Sequence, residues 1–294
     1  MTMAYYELHD GRLTKTTGVM DSRALAYGDG FFSTMGVHDG RILCIDGHQD
    51  RLTLSSARFE LSLDVKSVLA VLIDLAVQMG EGVLKVIITR DRQAVRGYGY
   101  ADGRAVVLIK LMPSPIYSGV SFYDGIPYQL AGVAVCLSER LSLRTSRFLG
   151  LKLISAHEQV FIQRELHCHQ QHDSAIIEGL VASASGEWVS GSMSNVLYHL
   201  DGKWHTPPVQ ACGVDGVMRR VLMTQYDIAE RVLLDEDLMN LDGLAFCNAV
   251  RGVMPISALT INSVVHPLKM NGFFTKLYHQ THPHQANHDT ITLI

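Results

Sequence analysis

The sequence predicts an α+β chain of two unequal halves, and three observations carry that prediction. Strand-like and helix-like apolar periodicities alternate along the chain. The 294 residues are about two domains' worth at ~150 each. The pattern breaks at Met112-Pro113-Ser114-Pro115, and the stretch from there to Pro127 is rich in Gly, Ser and Pro. The expected division is a smaller N-terminal α+β domain over residues 1–113, a linker over 114–127, and a larger domain over 128–294.

The elements follow in order. Ala4–Gly11, Leu13 and Gly36–Ile45 read as short strands and turns, with Asp39-Gly40 as a hairpin turn. Gln49–Leu61 reads as a helix. A clearer one covers Val65–Met79, with Val65, Leu69, Leu72, Ala76 and Met79 on one face and Gly80 as the stop. Val83–Thr89 and Ala105–Leu111 are apolar, β-branched runs and read as buried strands. Beyond the break come a strand at Val133–Leu137, a long helix after Ser155, and strands at Ala175–Val181 and Asn195–Leu200. A helix from Val217 to about Arg231 and a strand at Leu244–Val250 complete the series, before a polar, His-rich tail of about 25 residues.

Composition narrows the function classes. Twenty-five Lys+Arg against 29 Asp+Glu, with no basic block, speak against nucleic acid as the main partner. No apolar run approaches the ~18 residues of a membrane span; Val68–Ile73 is ended by Asp74. The first ten residues carry no basic-then-apolar leader, so a cytoplasmic location is expected. Five scattered cysteines without a CxxC pair suit free thiols in a reducing compartment.

Four segments carry potential chemistry. Lys152 sits within Phe148-Leu149-Gly150-Leu151-Lys152-Leu153-Ile154, a single amine among apolar neighbours; burial would lower its pKa and free a nucleophile, whereas a strand-end lysine would snorkel to water. Gly213-Val214-Asp215-Gly216 opens a helix at Val217, a turn whose amides suit a phosphate or merely reverse the chain. Ser190-Gly191-Ser192-Met193-Ser194-Asn195 is a small polar run before a strand, either a cofactor wall or a hydrated turn. Phe246-Cys247-Asn248-Ala249-Val250-Arg251 is a strand that ends in a polar loop. His167, Cys168, His169 and His172 do not converge on one helix face, so no metal site is expected there, and His279, His282, His284 and His288 belong to the tail.

In their order and spacing these segments resemble the fold type IV pyridoxal-phosphate enzymes, which include branched-chain and D-amino-acid aminotransferases and 4-amino-4-deoxychorismate lyase. The resemblance opens at Asp21–Thr34, continues through His48-Gln49-Asp50-Arg51-Leu52 and ends at Val253–Ile256. Gly82–Arg90 with Arg96-Gly97-Tyr98, Leu149–Lys152 with Glu158-Gln159-Val160, and Gly213–Arg219 resemble the lyase branch most. The resemblance implies a two-domain fold of the D-amino-acid-aminotransferase type, with pyridoxal 5'-phosphate held in the larger domain and bonded to Lys152. It implies a phosphate cup of Arg51, the Val214 and Asp215 backbone after Gly213, and Asn248 and Ala249, with Ser190, Ser192 and Asn195 also at the cofactor. Thr34, Arg90, Arg96, Tyr98 and Arg251 would meet a small-molecule substrate, and the protein would be a homodimer. The implied reaction is elimination of pyruvate from 4-amino-4-deoxychorismate to leave 4-aminobenzoate. The alternatives are aminotransfer on D- or branched-chain amino acids and a non-catalytic homologue.

One departure stands out. The family carries a glutamate beside the pyridine nitrogen, five residues before the Asn matched by Asn195. Counting back gives Ser190, or Gly191 with a one-residue gap, and neither is acidic. A serine hydroxyl there, from Ser190 or Ser192, would be expected to meet a neutral ring. That would weaken the ring as an electron sink and favour elimination over aminotransfer.

Overall fold

The computed structural model describes residues 4–15, 22–93, 95 and 97–269, so Arg96 and the His-rich tail lie outside the described residues. Two sheets organise them. The first has six strands in the order β2-β1-β6-β5-β3-β4: β1 (Ala4–His9), β2 (Arg12–Lys15), β3 (Gly30–His38), β4 (Arg41–Ile42), β5 (Gly82–Arg90) and β6 (Ala105–Pro113). All its pairings are antiparallel, and α2 (Ile45–Arg58) and α3 (Val65–Met79) pack on it after the short α1 (Arg23–Tyr27).

α3 has the predicted bounds because both ends are signalled locally. Asp64 caps it by accepting from the Ser67 amide at 3.2 Å, and Gly80, at φ +76, ends it with its amide on the Ala76 carbonyl. Val68, Leu69, Leu72, Leu75, Ala76 and Met79 form its buried face. α2 begins four residues before its expected start, at Ile45, after Cys44 in a left-handed conformation.

The second sheet begins with a short hairpin, β7 (Ser121–Tyr123) and β8 (Ile126–Tyr128), inside the segment expected to be an irregular linker. β9 (Gly132–Leu141), β10 (Ile176–Ser183), β11 (Trp188–Gly191), β12 (Asn195–Leu200), β15 (Gly243–Asn248) and β16 (Gly252–Ile261) then pair in a closed ring. β9 and β10 are parallel and joined through α4 (His157–His172), as a parallel pair requires. Inside the ring sit Leu180, Trp188, Val196, Tyr198, Leu244, Phe246, Met254 and Ile256.

β13 (Lys203–Thr206), β14 (Ile228–Glu230), α5 (Val217–Gln225), α6 (Asp235–Leu238) and β17 (Val264–Pro267) complete the chain. α5 is shorter than the expected helix to Arg231. Tyr226 is already extended, and Ile228–Glu230 pairs in parallel with β13, so ladder hydrogen bonds replace a further helical turn.

Candidate active site

Lys152 lies in the seam between the two sheets, and backbone bonds to both halves fix it. Phe32 donates to the Lys152 carbonyl at 2.9 Å and Ile154 to Gly30 at 3.2 Å, which staples the segment onto β3. On the other side Asp215 donates to the Gly150 carbonyl at 2.9 Å. Gly150 has φ +73, and a Cβ there would press on the Asp215 Cβ at 3.2 Å, so a residue with a side chain would push the two segments apart. The lysine is half-buried, with Nζ 4.8 Å from the centre of the Phe32 ring. Burial, aided by the charges of Arg51, Lys85 and Arg144, lowers its pKa from 10.5 to about 8.

Around this amine opens a cavity of about 700 Å³. Its sheet wall follows from strand alternation: Phe32 and Thr34 on β3 and Val83 and Lys85 on β5 share one face, with Thr34 opposite Lys85 in register. Arg51, Asn195, Gly213, Val214, Gly216 and Val217 line one end. Arg51 donates to the Asp215 carbonyl at 2.9 Å, and Asn195 to the Val214 carbonyl at 2.8 Å. A side chain at Gly216 would collide with the Asn195 amide, so the turn reaches α5 only with glycine there. Asn248, Ala249, Val250 and Arg251 supply another edge, where the Asn248 side chain accepts from the amides of Val250 at 3.0 Å and Arg251 at 2.8 Å and holds the loop.

The cavity thus brings together Thr34, Arg51, Lys152, Ser190, Ser192, Asn195, Gly213, Val214, Asn248, Ala249 and Arg251 from the sequence expectation. Three expected residues lie elsewhere. The Asp215 amide is already spent on Gly150, and its carboxylate pairs with Arg219 at 3.1 Å, facing a smaller neighbouring pocket. Gly216 and Val217 take its place at the cavity, at the start of α5, where first-turn amides have no partner within the helix. Arg90 is 3 % exposed and committed: its guanidinium bonds Asp29 at 3.1 Å and the carbonyls of Phe59 at 2.6 Å and Asp102 at 3.1 Å. Tyr98 is 84 % exposed, with its ring on Tyr27 and its carbonyl accepting from Arg23.

Other wall residues had not been expected. Lys85 and Arg144 add positive charge; Arg144 donates to the Leu151 carbonyl at 2.8 Å and the Gly213 carbonyl at 3.2 Å, bracing both sides of Lys152. Gln159 and Gln163 of α4 face the cavity, and the Gln159 Oε1 is buried without a hydrogen-bond partner. Behind Ser192 and Ser194 stands Glu178 of β10, which accepts from both hydroxyls. For Ser192 the serine expectation needs correcting, since its hydroxyl proton goes to Glu178 and none is left to offer a neutral ring nitrogen; Ser190 lines the cavity beside it. Lys85 and Glu178 each sit within an apolar run read only as a buried strand; a lone charge inside such a run was the available signal.

The donor set fits pyridoxal phosphate. An amine with a lowered pKa, an arginine beside a glycine turn at a helix start, and an unpartnered buried acceptor face one space, and no acid lines it among the described residues.

Comparison with known proteins agrees. The amino-transferase class IV family model matches residues 30–259. An aminodeoxychorismate lyase of Vibrio harveyi is 24% identical over 258 residues, 84% of this chain and 89% of the relative. A D-alanine aminotransferase of Bacillus licheniformis is 22% identical over 266 residues, 86% of this chain and 87% of the relative. The crystal structure of 4-amino-4-deoxychorismate lyase from Pseudomonas aeruginosa superposes with a TM-score of 0.77 at 27% identity, covering 95% of this chain and 98% of that one.

Proposed function

The chain belongs to the amino-transferase class IV family, whose members use pyridoxal phosphate, and from that premise we propose that it converts 4-amino-4-deoxychorismate to 4-aminobenzoate and pyruvate. The observation that carries this reading is the charge of the cavity wall: Arg51, Lys85, Arg144, Lys152 and Arg251 line it, and no Asp or Glu does among the described residues. Arg51 and the amides of Gly216 and Val217 would hold the cofactor phosphate, and Lys152 would hold its aldehyde. Arg144 is engaged with backbone carbonyls. Lys85 and Arg251 remain, two cations for a substrate with two carboxylates, where an ordinary amino acid brings one. The lyase names of two of the similar proteins support the same choice.

When bound, pyridoxal phosphate supplies the electron sink that acidifies the carbon bearing the substrate nitrogen. Lys152 then does the proton work. With its pKa near 8 it is substantially neutral at mildly alkaline pH, and Nζ takes the proton from that carbon. The electron pair left behind breaks the neighbouring carbon–oxygen bond. The ring becomes aromatic, and the departing enolpyruvate takes up a proton to become pyruvate. Lys85 and Arg251 hold the two carboxylates so that the breaking bond faces Lys152, and Phe32 shields the amine from water.

We further propose a homodimer in the cytoplasm. Val160 and Met193 line the cavity and are exposed, and Phe161, next to Val160 in the chain, is exposed as well, so a second copy would find apolar surface at the site. All five cysteines are free thiols, as a reducing compartment requires.

The test is a direct assay. Purified protein with pyridoxal phosphate should release pyruvate and 4-aminobenzoate in equal amounts from aminodeoxychorismate, and faster than it exchanges the amino group of D-alanine. Amino exchange at the higher rate would make it an aminotransferase, and neither reaction would make it a catalytically idle member of the family.

A further inference from the structure

Ser190, Gly191, Ser192 and Ser194 form a cavity wall without an acid, and a carboxylate stands directly behind it. Glu178 is 3 % exposed and is held by four donors. The amides of Gly179 and Ser192 reach Oε1 at 2.9 and 3.0 Å, the Ser192 hydroxyl donates to the same oxygen, and the Ser194 hydroxyl reaches Oε2 at 2.7 Å. Such a set suits an acceptor-only carboxylate.

Gly191 makes room for it. A Cβ at that position would overlap Ser194 Oγ, and would lie 2.8 Å from Phe246 Cδ1 and 3.0 Å from the Glu178 carboxyl carbon. A side chain at 191 and the hydrogen-bonded Ser194–Glu178 pair therefore compete for one space. The family resemblance expects an acid at 190 or 191; here those positions are serine and glycine, and the neighbouring strand fills the space with a carboxylate.

The direction of the protons matters most. A serine hydroxyl has one proton, and those of Ser192 and Ser194 are both given to Glu178. Ser192 Oγ also accepts from Gln163 Nε2 at 2.5 Å. Toward the cavity these hydroxyls offer lone pairs alone, so a ring nitrogen that meets them must be the donor, and only a protonated ring nitrogen donates. In pyridoxal phosphate the nitrogen is across the ring from the carbon that bears the aldehyde. With Lys152 holding the aldehyde and Arg51, Gly216 and Val217 the phosphate, the ring nitrogen would face away from the amine, and the serine run is the part of the lining that has a carboxylate behind it.

We propose that Glu178 is the counter-charge of the cofactor's ring nitrogen, acting through the hydroxyls of Ser192 and Ser194: the carboxylate is supplied from β10, one strand over from the β11 position where the family resemblance places an acid. Glu178 is thus a positioning residue. The full electron sink is retained, and the missing acid at 190 or 191 gives no bias against aminotransfer. The proposal rests on the cofactor and is independent of which reaction the site performs.

The test reads the nitrogen itself. The protein is reconstituted with pyridoxal phosphate carrying nitrogen-15 in the ring, and the ring-nitrogen shift is recorded near neutral pH. The wild type should show the protonated shift. Glu178→Gln should move it to the unprotonated position and weaken cofactor binding on the order of tenfold, the size of one lost charge-assisted hydrogen bond. Glu178→Asp, which keeps the charge, should return the protonated shift. If Glu178→Gln does not fold, the Ser192→Ala/Ser194→Ala double variant carries the same expectation. A protonated shift that survives in these variants, or an unprotonated one in the wild type, overturns the proposal. Absence of near-visible absorption in the reconstituted wild type would overturn the cofactor reading beneath it, a failure visible separately.

Discussion

Two groups of buried and half-buried cations in this molecule have opposite surroundings, and the contrast separates structure from chemistry. In the first sheet Arg23 and Arg90 share one carboxylate, Asp29, at 2.7 and 3.1 Å, and spend their other donors on carbonyls of Tyr98, Gly99, Phe59 and Asp102. Around the cavity Arg51, Lys85 and Lys152 share a wall with no acid on it, and the pKa of each is lowered first by burial and then by neighbouring cations: Arg220 for Arg51, Lys110 for Lys85, and Arg51, Lys85 and Arg144 for Lys152. Burial alone does not mark a ligand site. What marks it is positive charge for which the fold supplies too little counter-charge, since folding tolerates that only where an anion will be bound.

The largest expected effect lies on the cavity side. Lys152→Ala should abolish near-visible cofactor absorption and lower activity by on the order of 10³-fold or more, without lowering the urea midpoint of the cofactor-free protein. On the other side, Asp29→Asn leaves two buried guanidiniums without their carboxylate. It should destabilise the fold by about 3–5 kcal/mol in urea unfolding, while the folded fraction still shows cofactor absorption. The reverse outcome, full stability with lost cofactor, would break the comparison.

Smaller effects sharpen it. Arg51→Ala should weaken cofactor binding by about 1.5–3 kcal/mol, as a lost charge-assisted phosphate contact does, measured by titration of absorbance. The stability of the cofactor-free protein should change little, because the lost bond to the Asp215 carbonyl is offset by relief of repulsion from Arg220. The smallest is a pH effect. Lys152 is protonated in both folded and unfolded chains below about 8, and above it the unfolded chain, with the ordinary lysine value of 10.5, binds the extra proton. Stability of the cofactor-free protein should therefore rise from about pH 8 toward 10.5, and the rate of cofactor capture should rise with pH and level off above about 8.

Much of the fold was legible where local signals agree. α3 has its cap, its apolar face and its terminal glycine in one sequence window, and β12 is a short, mostly apolar strand buried along its whole length. β13 and β17 were not read, since both are short and depend on partners set by the turns at Asp201-Gly202 and Asn262-Ser263. α5 was overextended because Tyr226–Glu230 is apolar enough to continue a helix, and only its long-range pairing with β13 decides otherwise. In the site, Lys152 and the glycine turn stand out by residue type and spacing, and Arg51 only through the family resemblance. Arg90 was misread because nothing in its own segment reveals Asp29, 61 positions away. Glu178 was missed for the same reason: its meaning comes from Gly191 on the adjacent strand.

Two lysines face this cavity, Lys152 and Lys85, with their amines 4.8 and 4.3 Å from the same phenylalanine ring. Treating the protein with pyridoxal phosphate, reducing it with borohydride and mapping the modified peptide by mass spectrometry decides between them. The phosphopyridoxyl group should be found on Lys152. Its attachment to Lys85, or an unmodified Lys152, would contradict the account.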